Sequence, residues 1–318
     1  MTRRVLALSG GVGGAKLALG LADVLPAEDL TIVANTGDDF EHLGLKICPD
    51  LDTVMYTLAG LADPERGWGR AGETWTFMAA LAAVGGETWF QLGDGDLATH
   101  VERTRRLAAG DGLGAITADF GRRFGIGPAI LPATDDRLAT VVDTADGPLP
   151  FQEYFVRAHC APEVRGFRFA GSVRARPHPG FLAALTDPAL GIVVICPSNP
   201  FISIDPILSM SRMREAIREA GAPVVAVSPV VGGQAIKGPV AKMLAELGHA
   251  VTASSVAAHY GDLIDGFVID TADASLAAEI ETAGPRVLVT DTVMRHRDDK
   301  RRLAEAVIAF GAGLGRRD

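Results

Sequence analysis

The chain has 318 residues, a formal net charge of −9 and a hydrophobic fraction of 48%. That length suits one α/β domain carrying a large insertion, and that composition can bury a sizeable core. The negative balance argues against broad contact with nucleic acid or anionic membrane surfaces, and three widely spaced cysteines (Cys48, Cys160 and Cys196) contain neither a disulfide framework nor a CxxC pair.

Val5 to Leu8 reads as a short buried strand, Ser9 to Gly14 as a glycine loop, and Ala15 to Leu25 as a helix stopped by Pro26. The glycines break the first apolar run before it reaches the length of a signal sequence. No later run is long enough to span a membrane, so a cytoplasmic protein is expected. Leu30 to Ala34 is a second strand. Strand, loop, helix, strand is the start of a parallel sheet.

The loop Ser9-Gly10-Gly11-Val12-Gly13-Gly14-Ala15-Lys16 places backbone amides and a helix N-terminus at the edge of that sheet. Such a place accepts phosphate or diphosphate oxygens, and glycines allow the close approach. Gly11, Gly13, Gly14 and Lys16 are the predicted anion contacts. There is no Gly-Lys-Ser/Thr, so this is not a Walker loop. Lys16 stands where a third Rossmann glycine would be, so a nicotinamide cofactor is not supported.

Thr36-Gly37-Asp38-Asp39 follows the second strand, and Asp50 and Asp52 follow in Cys48-Pro49-Asp50-Leu51-Asp52-Thr53. Ligands of open α/β sheets bind beyond the carboxyl ends of strands. Hard oxygens there suit Mg²⁺, which takes one or two carboxylates plus phosphate oxygens and water. Asp38, Asp39 and Asp50 are the predicted metal ligands. Asp52 reads equally well as an N-cap of the helix from Thr53 to Leu58.

The middle of the chain changes character. Thr74 to Val84, Asp96 to Ala109 and Ala115 to Phe124 look helical, while Thr140 to Asp143 and Phe151 to Arg157 look like strands. Residues 71–175 are expected to form a largely helical capping subdomain inserted into a Rossmann-like core of residues 1–70 and 176–318. Within it, Leu92-Gly93-Asp94-Gly95-Asp96-Leu97-Ala98-Thr99-His100 carries two acids, a threonine and a histidine. Asp96 reads as a helix cap, with His100 on the first turn. Trp68 and Trp75 could stack on a flat heterocycle or pack in a core.

Alternation returns later. Gly191 to Cys196, Pro223 to Val227, Phe267 to Ile269 and Val287 to Val289 read as strands. Pro206 to Ala220, Val240 to Leu247 and Lys300 to Phe310 read as helices. The fold class is therefore a doubly wound, mostly parallel α/β sheet. Ser198 and Asn199, in a proline-restricted loop after a strand, can donate to phosphate or to a base edge. Lys237 is a second cation for a diphosphate or a solvated lysine. No Ser/His/Asp or Cys/His arrangement suggests a covalent nucleophile.

Together these segments resemble the 2-phospho-L-lactate transferase (CofD-type) family of coenzyme F420 biosynthesis, almost end to end. The carriers are the glycine loop, Asn35-Thr36-Gly37-Asp38-Asp39, Cys48-Pro49-Asp50-Leu51-Asp52-Thr53, Arg66-Gly67-Trp68-Gly69, Glu73-Thr74-Trp75, Leu92-Gly93-Asp94, Asp96 to His100, Phe151-Gln152-Glu153, Pro197-Ser198-Asn199-Pro200 and Val227-Ser228-Pro229. The resemblance implies that the hydroxyl of the deazaflavin FO attacks the β-phosphorus of a guanosine diphosphate-linked donor and that GMP leaves. The transferred acid is 2-phospholactate, phosphoenolpyruvate or phosphoglycerate. It implies Mg²⁺ as cofactor, held by Asp38, Asp39 and Asp50, and Asp38, Asp39 or His100 in the catalytic roles. It adds Thr36, Trp75, Asp94, Thr99, Ser198, Asn199 and Ser228 as substrate contacts, and a homodimer. One departure is Gly95, where the family pattern favours a basic residue. The competing reading is a non-enzymatic, nucleotide-sugar-binding regulator of the related gluconeogenesis-factor type.

Overall fold

The computed structural model describes residues 4–315. Its centre is a sheet of seven parallel strands: β1 (Arg4–Ser9), β2 (Leu30–Ala34), β3 (Ala129–Pro132), β4 (Leu190–Ile195), β5 (Val224–Val227), β6 (Gly266–Ile269) and β7 (Arg286–Val289). Across the sheet they run β7-β6-β5-β4-β1-β2-β3. The chain winds outward from β1 in one direction, then returns to β4 on the other side. This is the doubly wound order, with its switch point between β1 and β4.

A parallel sheet covered on both faces needs apolar side chains on both, and the strands supply them. Val5 and Ala7 enter one core while Leu6 and Leu8 enter the other. Ile192 and Val194 alternate in the same way with Val193 and Ile195, as do Val225 and Val227 with Val224 and Ala226. Helix α1 (Gly11–Val24) lies in the first of these cores against the C-terminal helix Arg297–Leu314.

The two helices touch closely at Gly20, where an added Cβ would stand 2.1 Å from the carbonyl oxygen of Lys300. Alanine would favour the helix by about 1 kcal/mol. Overpacking against a backbone atom costs about 1–3 kcal/mol and cannot be relieved by a rotamer change. Gly20→Ala is expected to lower the thermal midpoint. An unchanged or higher midpoint would show that the helices part freely here.

Between β2 and β3 lie the hairpin Phe40–His42/Leu45–Ile47 and helices α2 (Pro49–Leu58), α3 (Thr76–Ala83), α4 (Asp94–Ala108) and α5 (Leu113–Arg123). Between β3 and β4 a three-stranded antiparallel sheet is built from Ala139–Thr144, Gly147–Pro150 and Val164–Ala170. So residues 71–175 are not wholly outside the core as expected. Ala129–Pro132 within them pairs with β2 as the edge of the main sheet.

Two local expectations also change. Phe151 to Arg157 reads as a strand from its aromatic and β-branched content, but Glu153–Arg157 forms a wide helical turn. The Phe151 and Phe155 rings stack there at 5.3 Å, and Gln152 Nε2 donates to the Asp38 carbonyl at 3.3 Å. The helix expected over Pro206 to Ala220 is split into Asp205–Leu208 and Met213–Glu219 by Arg212 at φ 60°. Among the described residues, no helix is long and apolar enough to cross a membrane.

Candidate active site

The loops after β1, β2 and β4 meet at the carboxyl edge of the sheet. The glycine loop leaves β1 and enters α1 directly at Gly11, which has φ +63°. The switch point is stitched by the Gly10 amide donating to Ser198 Oγ at 3.1 Å. A Cβ at Gly13 would stand 2.3 Å from the Pro197 carbonyl, and one at Gly14 would stand 2.4 Å from Ser198 Oγ. These glycines are therefore required by the close approach of the β4 loop. Helix geometry leaves the first-turn amides of Val12 and Gly13 without an intrahelical acceptor. The Gly11 amide donates to Asp50 Oδ1 at 2.6 Å.

That bond ties the acidic cluster to the loop. Asp50, at the start of α2, also accepts from Asn35 Nδ2 at 3.0 Å. The same amide reaches Asp38 Oδ1 at 3.5 Å and the Ile202 carbonyl at 3.1 Å, while Asn35 Oδ1 accepts from the Gly37 amide at 2.7 Å. Asn35 thus clamps two carboxylates and shapes the turn that carries one of them. Asp39 faces Lys46 Nζ at 3.1 Å and accepts from Cys48 Sγ at 3.1 Å, both through Oδ2; its Oδ1 is buried without a partner.

Crowding of like charge in a buried place raises carboxyl pKa values. Burial pushes Asp50 up to about 6, partly offset by hydrogen bonds from Asn35 and Gly11 and reinforced by the charge of Asp39. Asp38 is held well above the ordinary carboxylate range, first by burial and then by Asp50 and Asp39. Fully ionised, these three acids and one ammonium would carry a formal charge of −2, and the raised Asp38 and Asp50 carboxyls reflect the cost of that state without a cation. Asp38, Asp39 and Asp50 do not present one oxygen each within 4.8 Å of one another, so they are not a closed three-ligand set. Mg²⁺ needs only one or two carboxylates when phosphate and water complete its shell. The unpartnered Asp39 Oδ1 and the elevated Asp38 and Asp50 fit that requirement.

Behind this cluster lies a polar network in which Asp96, expected to cap a helix, instead sits inside α4 behind Gly93, and in which the sequence did not single out Arg103 or Tyr56. Arg103, 1% exposed, grips Asp52 with two nitrogens and bonds the Lys46 carbonyl. His100 is wedged between them, with Nδ1 3.2 Å from Arg103 Nη1 and Nε2 3.2 Å from Asp96 Oδ1. Tyr56 donates to Asp96 at 2.7 Å. Asp52, Asp96 and His100 do lie within metal-ligand spacing of one another, but the Arg103 guanidinium already supplies the positive charge there. Asp52 is thus an ion-pair partner and not a cap. His100 is 2% exposed, so a substrate hydroxyl reaches its ring only if this network opens.

The buried face of α4 shows the signal that would have found Arg103. Asp96, Thr99, His100 and Arg103 sit at helical spacing i, i+3, i+4 and i+7. An inward stripe is usually apolar, so a polar one requires partners on a facing element. Here α2 supplies Asp52 and Tyr56.

Several predicted contacts have structural duties. Asp94 accepts from the Thr74 hydroxyl and from the Thr76 and Phe77 amides, which caps α3. Trp75 packs against the small core of Ile47, Met78 and Leu92, with the Arg66 guanidinium 4.6 Å from its ring. Asn199 accepts from the Phe201 amide and caps the turn that follows. Ser228 closes the turn after β5 by bonding Val230. Thr99 is buried in α4, and Thr36 Oγ1 is buried without a partner beside the acids. Lys16 Nζ donates to the Met294 carbonyl at 3.1 Å, and burial followed by the charges of Lys237 and Lys300 lowers its pKa. Gly95 leaves room for Glu73, which accepts from the Gly95 and Asp96 amides. A basic group is present all the same, since Arg70 Nη1 bonds the Gly95 carbonyl at 3.2 Å.

A Rossmann-like sheet with a buried acidic cluster bonded to a glycine loop at its switch point is an α/β arrangement of the kind that binds ligands beyond the carboxyl ends of its strands. The family model described as 2-phospho-L-lactate transferase CofD matches residues 5–308, and the chain belongs to that family of transferases. It is 44% identical over 297 residues to a phosphoenolpyruvate transferase of Streptomyces griseus, covering 92% of this chain and 93% of that one. It is 45% identical over 288 residues to the phosphoenolpyruvate transferase of Kitasatospora aureofaciens, covering 88% and 89%. A crystal structure of a UPF0052 family protein from Bacillus halodurans superimposes with a TM-score of 0.64 at 15% identity, over 97% of this chain and 99% of that one. At that identity the likeness shows the fold.

Proposed function

We propose that the chain transfers phosphoenolpyruvate, as a substituted phosphate, from a guanosine diphosphate-linked donor to the deazaflavin FO, with GMP as the leaving group. The observation that carries this is the bond from the glycine loop to Asp50. It brings the glycine loop and the carboxylates together, which supports a diphosphate held there with a cation, in a chain that resembles phosphoenolpyruvate transferases over nearly its whole length. Among the three acids, the names of those relatives favour phosphoenolpyruvate.

Transfer of this kind depends on positioning and charge neutralisation. The first-turn amides of α1 would orient the diphosphate. Asp38 and Asp50, with Asp39 through its free oxygen, would hold Mg²⁺, which when bound neutralises diphosphate charge and eases departure of GMP. A carboxylate of the cluster that the cation does not engage would accept the proton of the FO hydroxyl.

The test is mass spectrometry of the product after incubation with FO and each guanylylated acid. Product mass from the phosphoenolpyruvate donor, formed at least about tenfold faster than from the other two, is expected. A preference for the lactate or glycerate donor would reassign the acid. No product from any of the three would defeat the reading.

A further inference from the structure

Lys46 is the one basic side chain described in direct contact with the predicted metal ligands, at 3.1 Å from Asp39 Oδ2. Its two ends are treated differently. The backbone is anchored: its amide donates to Thr104 Oγ1 at 2.8 Å, its carbonyl accepts from Arg103, and its strand pairs in the hairpin with Phe40–His42. The side chain is 32% exposed, whereas that of Asp39 is 2% exposed. Lys46 is therefore held at its root, with about a third of its side chain open to solvent. Asp39 is held on one oxygen only, and its other oxygen is buried and unpartnered.

A cation entering this cluster must share Asp39 with an ammonium already in place. The two positive charges repel, and the loser with a solvent path is the flexible lysine. The geometry points to Lys46 as a resident counter-ion, which holds Asp39 before the cation arrives and moves to the donor's diphosphate once displaced. This rests on the cation reading of the site. Arg103 cannot take the same part, because both arms of its guanidinium are committed to Asp52.

Removing a positive charge next to a cation ligand tightens cation binding. Full-length protein is titrated with Mn²⁺ without nucleotide, and free Mn²⁺ is followed by electron paramagnetic resonance. Lys46→Met is expected to bind Mn²⁺ on the order of tenfold more tightly than the parent, and Lys46→Arg within about twofold of it. Inorganic pyrophosphate is then titrated into the Mn²⁺-saturated proteins, where Lys46→Met is expected to bind it about tenfold more weakly and Lys46→Arg to retain it. Thermal melts establish that the variants fold, and Lys46→Gln serves if the methionine variant aggregates. Equal Mn²⁺ affinity in Lys46→Met and the parent overturns the counter-ion role while leaving the cation site standing. Tighter Mn²⁺ with unchanged pyrophosphate overturns the transfer of Lys46 to the anion. No Mn²⁺ binding by the parent overturns the cation reading and this inference with it.

Discussion

Arg103→Met is expected to destabilise the protein by about 3–5 kcal/mol, the cost of stranding one member of a buried ion pair. Asp52 is 4% exposed, and the guanidinium of Arg103 is its principal compensation. Burial already raises the Asp52 carboxyl, and Arg103 followed by His100 opposes that rise. Without Arg103 the carboxyl rises further. The sign of the pH dependence follows: a carboxyl raised in the folded state costs nothing below the ordinary carboxylate range, and its cost grows as pH increases above it. The loss is therefore expected to be larger at pH 8 than near pH 5, and chemical denaturation at both values measures it. Adding Asp52→Asn to Arg103→Met should recover part of the loss, since no charge is then stranded. A loss below about 1 kcal/mol at pH 8 would show that water or another cation reaches Asp52.

The same network explains why parts of the site were legible in the sequence and parts were not. Strand, glycine loop and helix are local in sequence, so their identity and their place at the sheet edge can be read from periodicity and composition. Asp38, Asp39 and Asp50 stand out because acids after a strand are unusual. Their clamp on Asn35 and the Gly11 amide is a contact between loops, which no local pattern reveals. Asp94 is expected to contact substrate and Asp96 to cap a helix, and the structure gives each a different duty. They differ because the α3 N-terminus lies beside the first and Tyr56 and His100 beside the second.

Edge strand β3 was missed for a different reason. Ala129–Pro132 is short, ends in proline and follows helical segments, so only its pairing with β2 marks it as part of the sheet. At an edge one ladder is enough, and proline is tolerated there. Phe151 to Arg157 shows the converse: β-type composition gives way to an aromatic stack spaced four residues apart and to a bond onto the acidic loop. Tertiary contacts decide both segments, and both border the site.

Asp38→Asn is expected to abolish transfer, by on the order of 10³-fold or more, while raising the melting temperature of the cation-free protein. The two effects have one cause. Asp38 is buried beside Asp50 and Asp39, and that surrounding holds its carboxyl well above the usual range. A folded-state value above the unfolded one penalises folding at every pH above the ordinary carboxylate range, so an isosteric amide removes a cost at pH 8. An asparagine cannot supply the anionic oxygen that a divalent cation seeks, so Mn²⁺ or Mg²⁺ should no longer shift the melt. The parent chain should show the reverse pattern: a lower melt alone and a rise with added cation. A structural carboxylate would behave otherwise, because losing it would lower the melt and leave the cation response intact. The variant therefore separates a carboxylate kept for its charge from one kept for its hydrogen bonds. A stable Asp38→Asn protein with parental turnover and a parental cation shift would move the metal to other residues.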